Sequence, residues 1–308
     1  MTLGYAPLTA EKAASIQAFT ARRGGLVPCD CTAGTLLTWC APQGGLVRLS
    51  DDWFSAYWTK HGLLGFPLLA SGAQPSPDAV HAEIEALRTA GRTVNVVIDA
   101  PAEWAKANSV ALESWCSVEP SRVGPDYIYA ASDLADLPGA KYSAKRNLVS
   151  QFVREHPGWR VEQLTSDVFW DLPLRRFIDG WRETASDPSG SLGADLGALD
   201  TAFRHWDTGI FSGLALYADD AARGSGAILA FCVFSIPSRD MADIHFEKAA
   251  HDIKGASQLI NRETARRLRD AGIKWINREQ DMGVPGLRRA KMQYHPAQLP
   301  PTCSLKLL

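Results

Sequence analysis

Three strand-like stretches, IFSGLALYAD (210–219), AILAFCVFSIP (227–237) and MADIHFEKA (241–249), follow one another with only short polar turns between them. Joins this short have no room for a crossover helix, so the three strands must meander antiparallel. A helical pattern comes next, over 255–271. Ile260, Thr264, Leu268 and Ala271 make its apolar stripe, Arg266, Arg267 and Arg269 lie mostly off that stripe, and Gly272 marks the stop. The strand IKWIN (273–277) follows at once. Strands alternating with helices in this way predict an α/β protein whose sheets are mixed and mostly antiparallel.

The first half alternates as well. A helix is expected at 9–22, strands at 35–41 and 46–50, a strand-like run at 62–71, a helix at 76–91 and a buried strand at 93–101. The polar segment EPSRVGPD (119–126) is the expected boundary, dividing the chain into domains at 1–122 and 123–308. Beyond it the pattern predicts a strand at 126–132, a helix at 140–156, a strand at 159–165 and helices at 168–185 and 195–207. A short helix at 285–294 and a last strand at 303–308 complete the order.

Charge and cysteines narrow the class. The formal net charge of -2 gives no overall pull toward nucleic acid or anionic lipid. Locally the balance shifts: residues 183–220 hold seven acids, Asp187 among them, against Arg204, whereas 239–295 hold twelve Lys/Arg against eight Asp/Glu. The start lacks a basic segment followed by an apolar stretch, and the longest apolar run, AILAFCVF, falls far short of the roughly 20 residues that span a bilayer. A soluble, cytoplasmic protein is expected, with its six cysteines as reduced thiols. Cys29, Cys31 and Cys40 match no common zinc spacing, and His245, Glu247 and His251 are not read as ligands, so no metal is expected.

Three segments of the second half carry a resemblance: LPGAKYSAKRNLVSQF, IHFEKAAHDIKGASQLINRE and KWINREQDMGVPGLRRAKMQYHP. Together they resemble the C-terminal domain family of phosphatidylglycerol lysyltransferase over roughly residues 125–300. The resemblance implies a tandem pair of acetyltransferase-like (GNAT) domains, the first a degenerate copy. It further implies transfer of an acyl or aminoacyl group to an amine or hydroxyl. The donor would be aminoacyl-tRNA or an acyl-CoA used as a co-substrate, with no tightly bound cofactor. The acceptor would be a small molecule, a peptide or a lipid headgroup. The other reading is a catalytically silent protein that keeps the fold and binds a phosphorylated or polyanionic ligand.

Acyl transfer needs a base for the nucleophile, a donor for the developing oxyanion and positive charge for a phosphate-bearing substrate. Glu279 and Asp281, just past the strand IKWIN, are the candidate bases, although Asp281 is also placed to cap the helix starting near Pro285. Glu247, two residues beyond His245, is expected on that histidine's face of the strand, either of them lining the cleft. By analogy with GNAT enzymes, Tyr294 is a candidate general acid. Asn277 and Arg278 end the strand, Arg288 and Lys291 share a helix face, and Lys145, Arg146 and Asn147 lie on the earlier helix. These are the expected substrate-binding groups. The basic ones suit a polyanion such as the acceptor end of tRNA.

Overall fold

The structure is a computed structural model and describes residues 4–167, 172–184, 190 and 192–308. Its first sheet holds β1 (Ala6–Pro7), β2 (Leu46–Leu49), β3 (Trp53–Trp58), β4 (Leu63–Gly65), β5 (Leu68–Leu69), β6 (Val96–Pro101) and β7 (Cys116–Pro120). Its second holds β8 (Ile128–Ala130), β9 (Arg160–Gln163), β10 (Ser212–Asp220), β11 (Gly224–Ser238), β12 (Met241–Ala249) and β13 (Trp275–Asn277). The last strand, β14 (Thr302–Leu307), returns to the first sheet and lies between β6 and β7.

The helices are α1 (Ala10–Arg23), α2 (Ala33–Thr35), α3 (Pro77–Thr89), α4 (Ala102–Ala107), α5 (Ser109–Leu112), α6 (Ala131–Asp136) and α7 (Ser143–Glu155), then α8 (Leu172–Thr184), α9 (Leu192–Arg204), α10 (Ala256–Asp270) and α11 (Pro285–Met292). Of the helix expected at 168–185, residues 168–171 and 185 lie outside the described residues, as does Asp187.

The two sheets repeat one plan. Strands β10, β11 and β12 meander antiparallel, α10 crosses over, and β13 returns parallel to β12. In the first sheet β2, β3 and β4 meander, α3 intervenes, and β6 returns parallel to β4. In each sheet an antiparallel strand then covers the far side of the returning one: β8 beside β13, β14 beside β6. This is the tandem GNAT-like architecture, with mixed and mostly antiparallel sheets. We propose the division near residues 122 and 123, amended in one respect: β14 is exchanged into the first unit's sheet.

The second sheet is covered on both faces. Leu259, Ile260 and Leu268 of α10 pack with Phe152 and Leu134 against Leu214, Leu229 and Phe234. On the other face Ile16, Phe19, Leu36 and Leu37 of the first unit meet Phe231, Val233 and Phe246. The stretch expected as a strand at 35–41 is helical instead. Thr32 caps it by accepting from the Thr35 amide, and a π-helical turn continues through Leu36–Cys40. Four of those five residues are buried, and a run buried nearly all round shows no periodicity by which to distinguish helix from strand.

Leu305 of β14 is fully buried between Val97 and Val118. Leu305→Ala is therefore expected to destabilise the protein by about 2–4 kcal/mol in denaturant unfolding, the usual cost of a cavity in a packed core.

Candidate active site

Strands β12 and β13 pair over three positions only: Met241 with Trp275, Ala242 with Ile276 and Asp243 with Asn277. Beyond them β12 runs on to Ala249 while the chain leaves β13 as Arg278 and Glu279. Strand β12 also bulges. Ile244 lies opposite Phe234 and Phe246 opposite Val233, so His245 is the extra residue. The bulge reverses the alternation. His245 and Glu247, expected on one face, lie on opposite faces.

On the α10 face, Glu247 accepts from Arg278 Nη2 (3.1 Å) and Asn261 Nδ2 (3.0 Å). The guanidinium stands 5.1 Å from the Tyr294 ring centroid and 6.0 Å from that of Tyr129. Lys145 Nζ lies 4.5 Å from the Tyr294 ring and donates to Gln293. Burial disfavours the Arg278 charge, but Glu247 and the two tyrosines more than offset it, so the group stays firmly cationic. Tyr294 is buried and its hydroxyl makes no hydrogen bond of normal geometry, although the Gln258 side chain lies close enough to act on it. Burial pushes that hydroxyl's pKa well up, against the pull of Arg278, so it is a proton donor. Asn261 Oδ1 is likewise buried and unbonded.

On the opposite face Glu279 has a left-handed backbone, with φ 57°. Its carboxylate lies 3.0 Å from His245 Nδ1 and accepts from Thr35 Oγ1 at 3.4 Å. His245 Nε2 is 2.8 Å from Ser235 Oγ, and Thr32 Oγ1 donates to Asp243 Oδ2 at 2.9 Å. Asn277 accepts from the Glu279 amide and donates to Asp126, which also accepts from the Cys29 amide. Burial pushes the Glu279 carboxyl up to about 8, with Lys291 opposing and Asp126 and Asp30 adding. Burial lowers His245, against the pull of Asp243.

Several expected groups turn out to be held in the framework. Asp281 is fully buried and accepts from Tyr127 Oη (2.6 Å), the Gly283 amide (2.9 Å) and Arg288 Nε (2.8 Å). Despite burial, Arg288 and Tyr127 hold it below the usual carboxylate range. It is thus not a free base. Nor is it a helix cap, since α11 has no side-chain cap. Lys291 donates to the carbonyls of Glu279 and Gln280, and Arg146 to those of Leu137 and Gly139. Asn147 is exposed on α7. Lys145 and Arg278 flank Tyr294, Lys291 is held at the Glu279 and Gln280 carbonyls, and Arg146 and Arg288 are engaged elsewhere.

The sequence reading missed Thr32, Thr35, Asp126, Asp243 and Ser235. Asp243, an acid inside an apolar strand, was a visible signal. Thr35 lies 244 residues from Glu279, and no local pattern announces such a contact.

The family described as phosphatidylglycerol lysyltransferase, C-terminal, matches residues 29–302. No curated protein matches. Among solved structures, a conserved protein of unknown function from Bacteroides thetaiotaomicron is 25% identical with a TM-score of 0.84, over 99% of this chain and 100% of that one. The C-terminal domain of an Agrobacterium fabrum protein assigned as a lysylphosphatidylglycerol synthetase is 16% identical with a TM-score of 0.65, over 96% and 92%. L-PGS from Bacillus licheniformis is 13% identical with a TM-score of 0.64, over 95% and 90%. The latter two share the fold.

Gly34 of α2 faces the imidazole, and a Cβ there would sit 2.2 Å from His245 Nε2. Gly34→Ala should therefore displace the ring and cost about 1–3 kcal/mol, as overpacking does. Thermal or denaturant unfolding against wild type measures it.

Proposed function

Because the chain belongs to the phosphatidylglycerol lysyltransferase C-terminal family, we propose that it transfers an aminoacyl group from aminoacyl-tRNA to a hydroxyl- or amine-bearing acceptor. The observation that carries this reading is the buried Tyr294 hydroxyl, unbonded beside the Arg278–Glu247 pair. A buried polar atom without a partner costs stability, so its retention points to a ligand that supplies one.

The chemistry follows from the groups present. Attack on an aminoacyl ester places negative charge on the carbonyl oxygen, and Tyr294 Oη with the Arg278 guanidinium supply a donor and a cation for it. Glu247, the carboxylate on this face, is held by Arg278 and Asn261 and becomes a base only as Arg278 turns from it to the developing oxyanion. It then takes the proton of the incoming hydroxyl or amine and returns it to the departing ribose oxygen as the ester bond breaks. Lys145 adds charge near Tyr294 for the phosphates of the donor's acceptor end. Glu279 and His245 stand on the other side of β12 and do not reach the Arg278–Glu247 pair. Among the described residues no helix is long and apolar enough to cross a membrane. The acceptor class is a headgroup, a peptide or a small molecule.

A panel of labelled aminoacyl-tRNAs, with acetyl-CoA as the competing donor, tests the reading by product formation. Tyr294→Phe should lower turnover on the order of 100-fold, the cost of removing one oxyanion donor. Because the hydroxyl makes no hydrogen bond of normal geometry in the fold, stability should stay within about 1 kcal/mol of wild type. Transfer from acetyl-CoA but not from any aminoacyl-tRNA would move the assignment to an acyl-CoA enzyme. Binding of tRNA with no turnover of either donor would make this a silent binding protein.

A further inference from the structure

The seam between the two units gathers more buried carboxylates than its cations neutralise. Asp99, Asp126 and Asp243 are buried there, with Glu279 and Asp30 beside them. The lysine among them, Lys291, spends its ammonium on two backbone carbonyls. Asp243 Oδ1 and Asp126 Oδ1 are buried with no hydrogen-bond partner. An ionised carboxylate left in that state is strongly disfavoured unless something positive sits against it.

We propose that Asp243, His245 and Glu279 hold a divalent transition-metal cation in this seam. One ligand atom from each residue lies within 4.8 Å of the others, a spacing that closes around an ion with bonds of about 2.0–2.2 Å. His245 Nδ1 stands 3.0 Å from the Glu279 carboxylate and 3.9 Å from that of Asp243. Two carboxylates with one imidazole form a mixed oxygen and nitrogen donor set. It suits manganese, iron, cobalt or zinc better than calcium or magnesium.

The surroundings are those of oriented ligands. Ser235 Oγ holds His245 Nε2, which leaves Nδ1 directed at the two acids. Thr32 holds Asp243 and Thr35 holds Glu279, both from the first unit. The His245 and Asp243 side chains are 1% and 0% exposed, whereas that of Glu279 is 24% exposed and gives the ion a way in. The site lies across β12 from the Arg278–Glu247 pair and is independent of what that pair does. Its first consequence is mechanical: an ion here ties α2 of the first unit to β12 and the end of β13 in the second.

Chelator-stripped full-length protein titrated with Co2+ and with Mn2+ tests the proposal, by visible absorption, calorimetry and thermal melting. Wild type should bind about one equivalent and melt at a higher temperature when loaded, since the ion binds the folded state. Asp243→Asn and His245→Gln should each weaken binding at least about tenfold. His251→Ala, a histidine stacked on Trp181 outside the seam, should leave it unchanged. Should either buried variant fail to fold by circular dichroism, the partly exposed Glu279→Gln replaces it with the same expected loss. No binding of either ion by wild type overturns the proposal and leaves the carboxyls neutralised by protons. Binding that survives the folded seam variants overturns it too.

Discussion

A three-residue parallel pairing governs the second unit. Once β12 and β13 part after Asp243 and Asn277, backbone that would otherwise close a ladder is left to present side chains. Arg278 goes to one face and Glu279 to the other. The single-residue bulge at His245 then places His245 and Glu247 on opposite sides of β12 as well. Two polar assemblies result, back to back across one strand, and each takes residues from both diverging segments. Had the pairing continued two residues further, Arg278 and Glu279 would be ladder residues and neither assembly would form.

The two assemblies differ in how they meet the rest of the protein. The Arg278 cluster is built within the second unit, from β8, β12, α7, α10 and the segment after α11. The Glu279 seam is shared, with Thr32, Thr35 and Asp30 arriving from the first unit. Gly34 marks how close that approach is. The first unit holds Asp243 and Glu279 in place, through Thr32 and Thr35.

Much of the fold was legible in the sequence. The meander at 210–249, the amphipathic α10 and its Gly272 stop are local patterns, and local patterns survive folding. What failed was non-local or non-periodic. The α2 region reads as a strand because burial on nearly every side erases the helical period. The bulge at His245 is invisible because MADIHFEKA alternates without a break, Ala242, Ile244 and Phe246 in one phase and Asp243, His245 and Glu247 in the other. The opening of the family motif was read in part: Arg278 and Glu279 do leave the strand as expected, but Asp281 and Arg288 satisfy each other and Tyr127. Charge alone does not distinguish a free ion from a paired one.

The exchange of β14 into the first sheet has a consequence for synthesis. Residues 302–307 are made some 180 residues after β7, yet they fill the gap between β6 and β7. A chain emerging from the ribosome therefore carries two unpaired inner edges until β14 is made, the kind of surface that recruits foreign strands. The first unit becomes a finished sheet only when β14 emerges, so its folding is coupled to synthesis of the whole second unit and not to its own position in the message.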